Sequence, residues 1–134
     1  MLERLVRFIN EGNDTGVTFG EERQINDYQF LLPVIVDGKE MDENDINFII
    51  EPHTVGGKIL YQPHIHIRED LRGQGLGTRI YKAFIYEFGN LYSHYWCRTN
   101  SLEIPKMYRR LSKNPDFRFI KTNKYYYIEL KNQE

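Results

Sequence analysis

The spacing of apolar residues predicts a helix from about Gly75 to Phe88, near the middle of the chain. Its apolar side chains recur at helical spacing and form one stripe. They are Leu76, Ile80, Ala83, Phe84 and Phe88. Gly89-Asn90 ends the pattern, as glycine after a last turn typically does. Two shorter helices are also predicted, one over residues 2–10 and one from the capping box Asn100-x-x-Glu103 through Leu111.

Runs of β-branched and aromatic residues predict strands over residues 28–36, 46–52, 58–67, 91–98 and 124–130. Asp37-Gly38 is a strong turn dipeptide, so the first two strands are expected to be antiparallel neighbours. Pro63 has no N–H to donate, which predicts a bulge or a separation from a neighbouring strand there. Residues 12–22 are rich in Gly, Asp, Asn and Thr and predict a loop with at most one irregular helical turn.

Composition limits the class of protein. The chain has 134 residues, 40% of them hydrophobic, which suits one core and predicts a single domain over residues 1–134. Its 18 basic and 19 acidic side chains nearly cancel, so no overall field favours nucleic acid or an anionic membrane as a partner. The single cysteine, Cys97, excludes an internal disulfide. Because the first apolar run is short and contains charges, we expect a cytoplasmic protein.

The segment Arg72-Gly73-Gln74-Gly75-Leu76-Gly77 lies between a predicted strand and a predicted helix and favours an anion site. The N–H groups of a first helical turn lack partners within the helix, and the helix dipole favours negative charge beside them. Glycine permits close approach and positive φ, while Arg72 and the Thr78 hydroxyl can add side-chain contacts. A phosphate or pyrophosphate fits there, although a glycine-rich turn can also precede a helix with nothing bound.

Two common phosphate-binding motifs fit this segment poorly. A P-loop continues its glycines with Lys and then Ser or Thr, and no lysine follows these glycines. A dinucleotide-binding turn has the spacing G-x-G-x-x-G near the start of a βαβ unit. Here Gly73, Gly75 and Gly77 give G-x-G-x-G after three predicted strands.

Residues 72–77 match the R/Q-x-x-G-x-G/A motif of the GNAT superfamily of acetyl-CoA-dependent N-acetyltransferases, which this chain resembles. Asn100 and the helix IPKMYRRL are similar to the second block of that family, and the likeness covers about residues 58–130. The resemblance implies an α/β (α+β) fold with a central mixed, mostly antiparallel twisted sheet and helices on both faces. It also implies a splay between two central strands, here those at residues 58–68 and 91–98.

The resemblance implies roles for individual residues. Backbone groups near Ile65 and Ile67 would pair with the pantetheine arm of CoA, and the glycine turn would hold its pyrophosphate. The implied cofactor-binding residues are Ile65, Ile67, Arg72, Gly73, Gln74, Gly75, Leu76, Gly77, Thr78 and Asn100. Tyr108 corresponds to the usual general acid of the family, and a phenol with a pKa of about 10 stays protonated at neutral pH.

Several residues are candidates for the group that accepts a proton from the amine. His64 and His66 alternate with isoleucines, so both imidazoles share one face of their strand. Glu51 on the neighbouring strand and His94 are rivals, and ordered water is a further option. The pair of histidines also suggests zinc, but zinc needs three or four ligands, and the spacing of His53 and His94 does not compel convergence. No metal is therefore expected.

The sequence thus predicts an enzyme that transfers an acetyl group from acetyl-CoA to a primary amine of a small molecule, peptide or protein. The alternative is a CoA-binding or protein-interaction module with the same fold and no catalysis. Nucleic-acid binding is disfavoured because the chain lacks a basic excess. The sequence does not choose between a monomer and a homodimer.

Overall fold

A computed structural model describes residues 13–94 and 105–131. Within them lie two α-helices, α1 (Leu76–Phe88) and α2 (Lys106–Ser112), and short 3-10 turns at Asn13–Thr15 and Glu69–Leu71. The strands β1 to β10 are, in order, Val17–Phe19, Arg23–Gln24, Phe30–Leu31, Val34–Val36, Lys39–Glu40, Ile46–Val55, Lys58–Ile67, Asn90–His94, Phe117–Lys121 and Tyr125–Leu130. The predicted helix over residues 2–10, the capping box at 100–103 and residues 95–98 of a predicted strand lie outside the described residues.

The described strands form three hydrogen-bonded sheets, in the orders β1-β4-β5, β2-β3-β6-β7 and β8-β10-β9. All of these pairings are antiparallel. The predicted mixed α and β class with mostly antiparallel strands is therefore confirmed. The finer expectation of one central sheet between two helical layers is not seen in this part of the chain. Its strands divide among three sheets, and α1 packs against α2.

The hairpin formed by β6 and β7 is the longest element. Its register runs without interruption from Ile46 opposite Ile67 to Val55 opposite Lys58. Gly56 and Gly57 make the turn, with φ angles of 59° and 81° that suit glycine in a two-residue hairpin loop. Pro63 lies opposite Ile50 inside this ladder, so the bulge predicted at Pro63 is wrong.

The direction of the backbone groups in β7 explains why Pro63 is tolerated. The N–H and C=O groups of successive residues point to opposite edges of a strand. Tyr61 donates its N–H to a side chain on β8, so the odd-numbered residues of β7 face β8 and not β6. The nitrogen of Pro63 therefore points to the β8 edge. The missing N–H removes no hydrogen bond between β7 and β6.

The side chain of Asn90 joins β7 to β8. Asn90 Oδ1 accepts the N–H of Tyr61 at 2.9 Å, and Asn90 Nδ2 donates to the carbonyl of Ile59 at 3.3 Å. This buried carboxamide takes the place of a backbone partner at the beginning of both strands. Among the described residues, the β8 edge of β7 has no backbone ladder beyond this point.

The run predicted as one strand over residues 28–36 is two strands in different sheets. Pro33 separates β3 from β4, because it lacks an N–H for a ladder. As expected, β3 pairs with β6, but β4 pairs with β1 and β5. The Asp37-Gly38 turn is confirmed, with φ angles of 50° and 83°, and it joins β4 to β5. The apolar pattern also missed β1, β2, β5 and β9, which are too short for a clear period.

Helix α1 packs across these sheets and supplies the centre of the core. The predicted apolar stripe is confirmed, and the helix begins at Leu76 and ends before Gly89. Phe84 is fully buried, and its ring centroid lies 6.1 Å from Phe19 in β1, 5.5 Å from Phe48 in β6 and 5.8 Å from Tyr61 in β7.

Across residues 13–94 and 105–131, no helix has both the length and the apolar character needed to cross a bilayer.

Replacing Asn90 with leucine is expected to lower the free energy of unfolding by about 2 kcal/mol, because the N–H of Tyr61 and the carbonyl of Ile59 lose their partner. Urea unfolding should show a lower midpoint with an unchanged m value. Asn44→Leu is the control, since Asn44 is exposed and its side chain has no hydrogen bond within the described residues. It should change the free energy by less than about 0.5 kcal/mol. Equal stability of both variants would contradict a bridging role for Asn90.

Candidate functional site

The glycine turn between β7 and α1 leaves its backbone donors free. Gly75 is the N-cap of α1, with a φ of 74° and no side chain that could cap the helix. Gly73 adopts a φ of 81°. Among the described residues, no protein acceptor receives the N–H groups of residues 73–78. A run of free donors therefore lies at the positive end of a helix dipole.

A cavity of about 340 Å³ opens against this turn. It is lined by Ile67, Leu71, Arg72, Gly73, Gly75, Leu76, Gly77, Thr78, Met107 and Arg110. A Cβ added to Gly73 or Gly75 would meet no described atom within 4 Å, so the space above both residues is open. Most of the residues predicted for a pyrophosphate line the cavity, but the exposed Gln74 is not among them. Sequence patterns gave no reason to include Leu71 or Met107, which only the fold brings to the turn.

Gly77 has a different role from the other two glycines. A Cβ on Gly77 would lie 2.9 Å from Met107 Cε and 3.6 Å from Ile67 Cδ1. The absence of a side chain therefore leaves room for the tip of the Met107 side chain from α2 beside the first turn of α1. This contact makes Met107 and Arg110 part of the cavity wall.

Arg72 and Arg110 give the cavity positive charge. Arg72 Nε donates to the carbonyl of Ile67 at 2.7 Å, which holds the guanidinium beside the turn. This hydrogen bond occupies one of the backbone groups that the resemblance assigns to pantetheine. Ile65 directs both its N–H and its carbonyl toward β8. Among the described residues neither of these groups has a partner, and the N–H of Ile67 has none either. The exposed edge of β7 is thus partly available to a ligand.

Tyr108 lies next to Met107 in the sequence and packs on the α1 side of the sheets. Its ring centroid is 4.9 Å from that of Tyr126 and 6.3 Å from that of Tyr81, and the residue is 6% exposed. Burial raises the pKa of the phenol well above its usual value, with smaller contributions from the two neighbouring tyrosines. The hydroxyl has no hydrogen bond within the described residues.

Glu51 and His64 come together on the face of the β6-β7 hairpin opposite α1. His64 Nε2 donates to Glu51 Oε2 at 3.1 Å. His53 lies two residues farther along β6, on the same face. Its Nε2 is 3.8 Å from Glu51 Oε1 and donates to Gln62 Oε1 at 2.9 Å. Because a carboxylate only accepts, the hydrogen bond places a proton on Nε2 of His64. In the neutral ring, Nδ1 is then the free proton acceptor.

The other candidate bases stand apart from this pair. His66 shares the face of His64, as predicted, but it is exposed and contacts no carboxylate within the described part of the chain. His94 ends β8 and lies opposite Tyr125. Asn100, predicted to contact the cofactor, lies outside the described residues. The sequence nominated Glu51 and His64 separately, and the hairpin register shows that they form one unit.

No protein-family model matches the chain, and no curated protein matches it. The likeness to GNAT acetyltransferases therefore rests on residues 72–77 and on the order of the surrounding elements. The geometry of the turn and the cavity is an independent source of support for an anion site.

Gly75→Glu is expected to weaken the binding of inorganic pyrophosphate by at least about tenfold, because it adds a negative charge beside the free amides. Binding is measured by titration of the backbone amide resonances of residues 73–78. Gly38→Glu is the matched control, since Gly38 also has a positive φ, 83°, and open space around its Cα. Both variants carry the same kind of backbone strain. Equal affinity in both variants would show that the anion does not bind at the turn.

Proposed function

We propose that the protein is an N-acetyltransferase of the GNAT type, which transfers an acetyl group from acetyl-CoA to a primary amine. The observation that carries the proposal is the run of free amides at residues 73–78, which opens into a cavity with two arginines. A diphosphate matches these donors, the helix dipole and the positive side chains together. The sequence motif and the geometry thus point to the same ligand chemistry.

The exposed edge of β7 supports the placement of a pantetheine arm. An extended chain with amide groups can add to a strand edge through backbone hydrogen bonds. Pro63 offers no donor to a protein strand at this edge, and Ile65 keeps both of its groups free among the described residues. Asn90 closes the gap between β7 and β8 at its beginning, so the open part lies toward the glycine turn.

The side chains near this gap suit the chemistry of acetyl transfer. When bound, acetyl-CoA supplies the acetyl group as a thioester, so that an N–C bond forms, the C–S bond breaks and CoA leaves as a thiolate. His64 Nδ1 accepts a proton from the amine and passes it to solvent, while Glu51 orients the ring through Nε2–H. The hydroxyl of Tyr108 donates a hydrogen bond to the departing sulfur. A thiol has a pKa of about 8.5. Because burial raises the pKa of Tyr108 well above its usual value, the hydroxyl stabilises the thiolate without giving up its proton.

The two groups lie on opposite faces of the sheets, which constrains where the reaction takes place. Tyr108 packs with α1 and α2, whereas His64 and Glu51 lie on the other face of the β6-β7 hairpin. A reacting carbonyl that both groups reach must lie at the gap between β7 and β8. This requirement agrees with the missing ladder at that edge.

Tyr108→Phe is expected to lower kcat by about a hundredfold and to leave the affinity for CoA nearly unchanged, because it removes one donor to developing negative charge. Binding of CoA is measured first by thermal shift, and turnover is then measured as thiol release from acetyl-CoA with a panel of primary amines. Tyr81→Phe is the matched control. The hydroxyl of Tyr81 also lacks a hydrogen bond within the described residues, and its ring packs beside that of Tyr108.

The same assay tests the proposal as a whole. A wild-type protein that does not bind CoA would contradict it. Binding of CoA without turnover on any amine would favour the non-catalytic module. An equal kcat in the wild type and the Tyr108 variant, with chemistry rate-limiting, would remove Tyr108 from the mechanism.

His64→Gln is expected to lower kcat/KM by about a hundredfold and to remove the acidic limb of the pH profile, because the proton acceptor is lost. His66→Gln is the control, since it removes an imidazole from the same strand face without touching Glu51. The pH dependence of kcat/KM for both variants provides the measurement. Loss of the acidic limb in the His66 variant alone would make His66 the base.

A further inference from the structure

Glu51 differs from the other carboxylates that form ion pairs in the described residues. Those carboxylates pair with lysine or arginine, and they belong to Asp14, Asp37, Glu43, Asp45, Asp70 and Glu129. Glu51 has only the imidazoles of His53 and His64 as ion partners in this part of the chain. Its side chain is 23% exposed. Because an imidazole, unlike a lysine or arginine side chain, is positive only when it is protonated, this half-buried carboxylate lacks a permanent positive partner.

A row of four rings, the aromatic row, begins beside Glu51 and crosses from β6 to β10. It consists of His53, Tyr92, Tyr125 and Tyr127. Successive ring centroids are separated by 5.6, 5.5 and 6.2 Å. Glu129 follows Tyr127 on the same face of β10, so each end of the aromatic row adjoins a carboxylate.

The far end of the aromatic row already holds an ammonium group. Lys58 Nζ lies 5.7 Å from the centroid of the Tyr127 ring and 3.2 Å from Glu129 Oε2. The hydrogen bond to Glu129 and the charge of Glu129 raise the pKa of Lys58 above its usual value. One tyrosine ring and one carboxylate thus stabilise an alkylammonium on this surface.

We propose that Glu51, together with the ring of His53, binds the primary alkylammonium group of a substrate. This end of the aromatic row repeats the combination of ring and carboxylate seen at Lys58, but no lysine or arginine of the described residues occupies it. The ammonium then lies next to His64, which shares the carboxylate of Glu51. That this ammonium is the acetyl acceptor rests on the proposed function, whereas its binding at Glu51 does not.

The arrangement of charges favours an alkylammonium over other cations. The protein's own example is a lysine, whose compact ammonium contacts one carboxylate oxygen and one ring face. A guanidinium prefers a carboxylate with both oxygens free. Here the two oxygens of Glu51 already face different imidazoles, at 3.1 Å and 3.8 Å. Each oxygen keeps a lone pair for a further single hydrogen bond, which suits the separate N–H groups of an ammonium.

The binding is tested on the cofactor-free full chain with n-butylammonium as the probe, followed by backbone amide resonances. Shifts are expected at β6, β7 and β8 and not at residues 73–78, and neutral n-pentanol should cause none. Glu51→Gln should weaken binding by about tenfold or more, because it removes the charge and keeps the shape. Glu43→Gln is the matched control, since Glu43 is 54% exposed and pairs with Arg23, and it should leave the affinity unchanged.

The outcomes separate this inference from the proposed function. Unchanged affinity in a folded Glu51→Gln variant, or equal binding of n-pentanol, would overturn the inference. A wild-type protein that binds CoA but not n-butylammonium would overturn the inference and leave the proposed function standing. Binding of n-butylammonium that depends on Glu51, in a protein that does not bind CoA, would support the site and contradict the acetyltransferase.

Discussion

The packing of α1 against three separate sheets is the interaction on which the described structure depends. These sheets share no backbone ladder, so buried side chains must hold them together. Phe84 contacts rings from β1, β6 and β7, while Leu91 of β8 belongs to the same buried cluster. Aromatic pairs of this kind contribute about 0.5–1.5 kcal/mol each beyond the area that they bury. The helix that begins at the glycine turn is therefore also the element that fixes the turn relative to every sheet.

This arrangement leaves a gap where a continuous sheet would have a ladder. Pro63 has no N–H at the β8 edge of β7, and the carboxamide of Asn90 is the link between the two strands at their beginning. Within the described residues the two strands are therefore joined by a side chain at their beginning and by no backbone ladder farther along. Because α1 begins at the glycine turn and packs on these strands, the turn and the β8 edge of β7 belong to one packed unit, as the proposed binding of acetyl-CoA requires.

The two sides of the gap carry different chemistry. On the α1 side, Tyr108 is buried among tyrosines and keeps its proton, since burial raises its pKa. On the opposite side, Glu51 and His64 form a polar pair that continues into a row of aromatic rings. The phenol of Tyr108 and the imidazole of His64 are thereby kept on opposite faces of the sheets.

Local spacing and backbone preference were enough to predict the long helix, the Asp37-Gly38 turn and the glycine segment before α1. Candidate residues such as Tyr108 and His64 also followed from a motif and from strand alternation. The fold was needed to show that Met107 and Arg110 line the cavity, that Glu51 meets His64, and that Pro63 lies in the β6 ladder without a bulge. These features depend on hairpin register, on strand edges and on the approach of α2 to Gly77, which join residues far apart in sequence and leave no local pattern.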